Sequence, residues 1–161
     1  MGTLVPSQFR VEKQRAHAVL TLSSGQLTHG CFFTAGGSAR HAGPERVSDL
    51  LNSETGFFPF EIDGADGRRT VLFNRSHVVM VAVADPEASR DPGYSVATRR
   101  AVSILLSSGQ RVVGAVRVYR PEGHDRLSDW ARQPEAFQYV ETAEATFIVN
   151  MAHIIDVQEE P

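Results

Sequence analysis

Leu20–Gly30, LTLSSGQLTHG, returns 84 residues later as Ile104–Gly114, ILLSSGQRVVG. Arg46-Val47-Ser48-Asp49, followed by Phe57 and Glu61, returns as Arg126-Leu127-Ser128-Asp129, Phe137 and Glu141, now at an offset of 80. Phe73-Asn74-Arg75-Ser76-His77-Val78-Val79 returns as Val149-Asn150-Met151-Ala152-His153-Ile154-Ile155, at an offset of 76. The first copy is therefore longer in two places, and both are loop sequences: AGGSARHAGP before Arg46 and DGADGRR before Asn74. Length changes confined to loops are the mark of a duplicated unit.

Each copy predicts five short strands and one small helix. Ala18, Leu20 and Leu22 alternate with Val19, Thr21 and Ser23, and Val102, Ile104 and Leu106 with Ser103, Leu105 and Ser107, a period of two whose match between copies sets the inward face of the first strand. Ser-Ser-Gly-Gln then closes a hairpin, with Gly25 and Gly109 supplying positive φ. Second strands run over 26–34 and 110–119; Gly30 and Gly114 inside them predict a sharp bend or a close backbone approach. Ser48 and Ser128 read as helix N-caps, with Asp49 and Asp129 in the first turn, where the helix dipole favours an anion. Third strands are expected over 57–62 and 137–142, fourth over 70–73 and 146–149, and fifth over 77–83 and 153–157. Glu61 and Glu141 are expected to pair with Arg46 and Arg126 and hold the helix to the sheet.

Five short bent strands in so few residues predict one small barrel per copy rather than a sandwich. The expected fold is thus mainly β: two tandem five-stranded bent barrels, each with a short helix between strands two and three. The expected boundaries are an N-terminal extension over 1–16, a first repeat over 17–83, a linker over 84–98 and a second repeat over 99–161. The linker, with two Asp-Pro steps and a Gly, reads as a connection rather than a sixth strand. Val11–Arg15 reads as a terminal helix or an added edge strand. Units this small bury modest cores, so the copies are expected to pack on each other or on another subunit, with Leu105 a candidate for that contact.

The 161 residues are 42% apolar and 22% charged, the balance of an ordinary globular chain. No run is long and apolar enough to be a membrane span, and the first residues lack the pattern of a signal peptide, so the expectation is a cytoplasmic protein. Cys31 is the only cysteine, which excludes an internal disulfide and a cysteine-based zinc site; it reads as a small buried hydrophobe. The formal charge of −3 disfavours nucleic-acid binding by generic phosphate attraction. All basic residues but Lys13 are Arg, scattered rather than clustered.

The pattern L-x-x-G-x-x-x-x-G on a bent hairpin, followed by an apolar-N-x-x-H-V-V run, resembles the two sequence motifs of the Sm-like (LSm) family. The resemblance covers residues 17–83 and 101–158 and implies a bent five-stranded barrel with a short polar corner between strands four and five. It departs from the family pattern at two points. A helix replaces the usual loop between strands two and three, and Asn74-Arg75-Ser76-His77 and Asn150-Met151-Ala152-His153 replace the usual Arg-Gly corner. The R-x-S-D segment also resembles small bacterial domains that carry an R-L-S-D-x-L-N turn, a likeness that implies no activity.

No glycine-rich phosphate loop, H-E-x-x-H or G-x-S-x-G is present. His17, His29, His41, His77, His124 and His153 are dispersed, with no helical i, i+4 pair, so neither a metal site nor a cofactor is expected. His77 and His153 read as corner residues that, with the neighbouring Asn, satisfy backbone groups. A Ser48–Asp49–His77 constellation is set aside because a capping serine has already committed its oxygen. Three functions follow in order. First is a non-enzymatic protein-interaction or assembly module with a protein partner or self-association, since small barrels expose strand edges. Second is an RNA or nucleotide binder using Asn74, Arg75, His77, Asn150 and His153, with Phe32 or Phe33 stacking on a base. Last is a hydrolase or metal enzyme built from convergent His and carboxylates.

Overall fold

The computed structural model of the chain describes residues 13–36, 44–121 and 123–161. The sequence alternation and turn chemistry become ten strands among these residues, with all pairings antiparallel. The first copy supplies β1 (Lys13–Leu22), β2 (Leu27–Ala35), β3 (Phe57–Gly64), β4 (Gly67–Asn74) and β5 (Val78–Val83). The second supplies β6 (Thr98–Leu106), β7 (Arg111–Val118), β8 (Phe137–Glu141), β9 (Thr146–Asn150) and β10 (Ile154–Glu159). Short helices α1 (Val47–Ser53) and α2 (Leu127–Ala131) follow the second strand of each copy.

The strands form one sheet in the order β10-β6-β7-β8-β9-β5-β1-β2-β3-β4. Each half repeats the same internal order, so the duplication is visible in topology as well as in sequence. The sheet is not closed into a barrel, and the halves are not separate bodies joined by a tether. They share a ladder, β5 on β9, running from Met80↔Val149 to Val83↔Thr146. β1 begins at Lys13, inside the expected N-terminal extension, so Lys13–Arg15 continue the first strand rather than forming a separate element. The remainder of that extension, residues 1–12, lies outside the described residues, as does most of the longer loop of the first copy, residues 37–43 with His41.

Local geometry repeats closely. Gly25 and Gly109 have φ of 89° and 87°, and each hairpin is closed by the same backbone bond, Gly25 N–H to the Leu22 carbonyl and Gly109 N–H to the Leu106 carbonyl. Gly30 and Gly114 sit where the second strand comes against the third. A Cβ on either would be driven into a backbone carbonyl oxygen, that of Glu61 or Glu141. The ladder there is short: β2 and β3 pair only from Gly30↔Ile62 to Phe32↔Phe60, and β7 and β8 only at Ala115↔Glu141.

The helix caps differ from the sequence expectation. α1 starts at Val47 and α2 at Leu127, so Ser48 and Ser128 lie inside the first turn and Arg46 and Arg126 are the cap residues. Asp49 and Asp129 reach back to accept the Arg46 and Arg126 backbone N–H groups, each at 3.0 Å. That bond holds the Asp129 carboxyl below the usual carboxylate range. The acid three positions on, rather than the serine, closes the turn.

Two apolar cores lie on the sheet. The first is built on Leu20, Leu51, Phe58, Phe60 and Phe32, whose rings stack and meet edge-on. The second has Val116 and Val140 where the first has Phe32 and Phe60, and fills the space with Trp130, whose counterpart is Leu50. Neither core is self-sufficient: Phe137 and Ile148 of the second copy complete the first, and Val79 and Met80 of the first copy complete the second. Leu105 is half-buried on β6, away from this junction, so it does not join the copies.

Candidate functional site

Two short polar corners, one in each copy, sit at the junction between the fourth and fifth strands. Asn74 and Asn150 each cap a single 3-10 turn, Arg75–His77 and Met151–His153, by accepting the backbone N–H two residues on at 3.1 Å. The imidazoles are fixed alike. His77 Nδ1 meets Ser23 Oγ at 2.8 Å and His153 Nδ1 meets Ser107 Oγ at 2.6 Å, while the carbonyl of each histidine accepts the N–H of that same serine. These bonds tie each corner to the hairpin of its own copy, the histidine carbonyl through a backbone N–H and the imidazole through a serine hydroxyl.

Asn74, Arg75 and Asn150 line one cleft at the junction. Arg75 is committed elsewhere: its guanidinium is buried and donates to the carbonyls of Leu50, Leu51 and Phe57, closing the C-terminal end of α1. Desolvation pulls its pKa below the ordinary arginine value. Phe32 is buried in the first core, which removes it as a stacking platform. Ser48 Oγ is 2.6 Å from Tyr139 Oη, and His77 bonds Ser23, so Ser48, Asp49 and His77 do not form a relay.

The expected Glu–Arg pairs are rearranged. Glu61 binds Arg15 at 3.0 Å, a bond that lowers the Glu61 pKa, and Glu141 binds Arg117 at 2.8 Å. Arg46 instead pairs with Asp49 and Asp91, and Arg126 with Asp129. Charge partners follow the bend of the backbone, which residue spacing does not report. Cys31 lies 3.2 Å from His17 Nδ1. Burial first, then Asp63 and Glu61, pushes its thiol up, so it stays protonated. Among the described residues no three His, Cys, Asp or Glu side chains converge as a metal site, and no helix is long and apolar enough to cross a membrane.

The densest side-chain chemistry lies along the seam between the halves, and most of it escaped the sequence reading. Glu87, in the expected linker, is buried. Its carboxylate accepts the Val47 and Ser48 backbone N–H groups and the Tyr139 hydroxyl, at 3.0, 3.1 and 2.6 Å. Asn52 of α1 exchanges two bonds with the backbone of Phe137. Farther along the connection, the Tyr94 ring lies under the Arg117 guanidinium at 3.7 Å while its hydroxyl donates to Glu141. The segment between the copies is thus a strap packed on both. At the corners, Asn150 Nδ2 donates to the carbonyls of Arg75 at 3.3 Å and Val78 at 3.0 Å, and His153 Nε2 reaches the Ser76 carbonyl at 2.7 Å.

The outer edges, β4 and β10, carry the counterparts of the seam strands β9 and β5, and among the described residues each has a strand on one side only. Leu72 on β4 is 64% exposed, whereas its counterpart Ile148 on β9 is fully buried; Ile155 on β10 is 63% exposed, whereas its counterpart Val79 is fully buried. Phe57, at the start of β3, is 59% exposed and its counterpart Phe137 only 4%. No known protein family matches the chain, and no curated protein or solved structure is significantly similar to it.

Proposed function

We propose that the chain is a non-enzymatic assembly module, made of two Sm-like units bent toward small barrels, that joins to further copies of itself through β4 and β10. The exposure contrast just described carries this reading: the apolar residues left open at the two edges are the counterparts of those that the internal seam buries. Covering Leu72, Ile155 and Phe57, each about three-fifths exposed, would gain about 1–2 kcal/mol for each side chain, and unpaired strand edges favour further pairing. The bent hairpins, the matched glycines and the common strand order support an Sm-like unit in each half. Within the Ser48–Asp49–His77 constellation, Ser48 Oγ is held by Tyr139 and His77 Nδ1 by Ser23.

An edge-to-edge contact of β4 with β10 is heterologous, so it closes into a ring or runs on as a filament. Sedimentation of the full chain tests the reading. The expected result is an assembly larger than the 17.6 kDa chain, a ring at a fixed multiple of that mass or a filament, that Leu72→Asp breaks down without unfolding the chain. A monomer at micromolar concentration would overturn it.

A further inference from the structure

The open corner beside β4 is built to hold a neighbouring chain. Asn74 and Asn150 share a conformation, with φ of −81° and −76° and ψ of 123° and 115°, and both spend Oδ1 on their own turn. His77 and His153 both spend Nδ1 on a hairpin serine. In the second copy the remaining donors are used across the seam: Asn150 Nδ2 on Arg75 and Val78, and His153 Nε2 on Ser76. Because a carbonyl can only accept, that Nε2 carries the proton. In the first copy the same two donors, Asn74 Nδ2 and His77 Nε2, meet no acceptor among the described residues.

Resting on the self-assembly reading, we propose that Asn74 and His77 are the hooks that set partner and register between chains: the Asn74 amide donates to the Met151 and Ile154 carbonyls of a neighbouring copy and His77 Nε2 to its Ala152 carbonyl. Those three carbonyls are the counterparts of Arg75, Val78 and Ser76. Carrying the seam register Met80↔Val149 to Val83↔Thr146 to the outer edges sets Asp156 opposite Phe73, Val157 opposite Leu72, Gln158 opposite Val71 and Glu159 opposite Thr70. One step further, Arg69 faces Glu160, where the internal seam has the uncharged Ala145 and Ala84. Arg68 and Arg69 are exposed on β4, and Glu159 and Glu160 are exposed at the end of β10. Arg68 lies 3.8 Å from Glu61 and Asp63, and Glu159 lies 3.7 Å from Arg100, so Arg69 and Glu160 carry the less compensated charges. The basic edge therefore selects the acidic one and rejects its own kind.

Two sets of full-length variants test this by sedimentation. Asn74→Asp keeps an oxygen to cap the corner and replaces the outward N–H donors with an anionic oxygen that repels the neighbour's carbonyls; it is expected to raise the dissociation constant between chains at least about tenfold, while the dissociated chain stays folded. Arg69→Glu and Glu160→Arg are each expected to weaken assembly, and the double variant to restore it. If wild type assembles while Asn74→Asp associates equally well, or while the charge reversals have no effect or are not rescued, the hooks and polarity are wrong but self-assembly stands. A monomeric wild type would overturn both.

Discussion

Gly30 and Gly114 keep two backbones in contact: any side chain there would displace the Glu61 or Glu141 carbonyl and, with it, the contact of the second strand with the third. Gly30→Ala or Gly114→Ala is expected to cost about 2 kcal/mol or more in urea unfolding. Gly25→Ala, which meets open space but keeps φ at 89°, should cost only about 1 kcal/mol. The duplication also supplies a correction within the chain. Thr28 Oγ1 is buried without a hydrogen-bond partner among the described residues, and its counterpart in the second copy is the buried Val112. Thr28→Val should raise stability by about 1 kcal/mol, and an unchanged or lower unfolding midpoint would show that the hydroxyl is satisfied. The glycines were readable in the sequence because an extended strand has no other use for them. The capping role assigned to Ser48 was not, because Arg46 and Asp49 close the turn two residues earlier and Ser48 turns to Tyr139.

Strand order within each half follows from the paired hairpins and corners, and period-two alternation places Leu20, Val102 and Ile104 inward as expected. Part of the seam follows from what the copies do not share. Tyr139 stands where the first copy has Pro59, Asn52 where the second has Arg132, and Glu87 lies in the segment between them. A search for similarity passes over such positions, so the Glu87–Tyr139–Ser48 contact was invisible to it. Divergence between the copies was the available signal. Burial first, and the Glu87 carboxylate second, raise the Tyr139 ionisation far above the ordinary tyrosine value, which keeps the hydroxyl a donor. Since the folded pKa exceeds the unfolded one, this contribution is whole below about pH 10 and is lost as pH rises from there toward the folded value. Tyr139→Phe is expected to cost about 1–3 kcal/mol at neutral pH and to flatten the alkaline fall in stability. An alkaline slope identical to that of wild type would assign the fall to other groups.

At the scale of the molecule, the chain carries one seam inside it and, at its two edges, the counterparts of the strands that form that seam. The expectation of two tandem barrels, packed on each other or on another subunit, did not extend to a shared ladder, because an internal match reports likeness between segments and carries no information about which edges meet. Joining β5 to β9 lets each core borrow apolar residues from the other copy, and it leaves β4 and β10 with the same faces uncovered. Residue-resolved amide hydrogen exchange at assembling concentration tests the equivalence of the two seams most directly. The account predicts that the amides of β4 pointing away from β3, and those of β10 pointing away from β6, are protected like the amides shared by β5 and β9, and that Leu72→Asp releases them. Rapid exchange along both outer strands, with the inner seam protected, would contradict it.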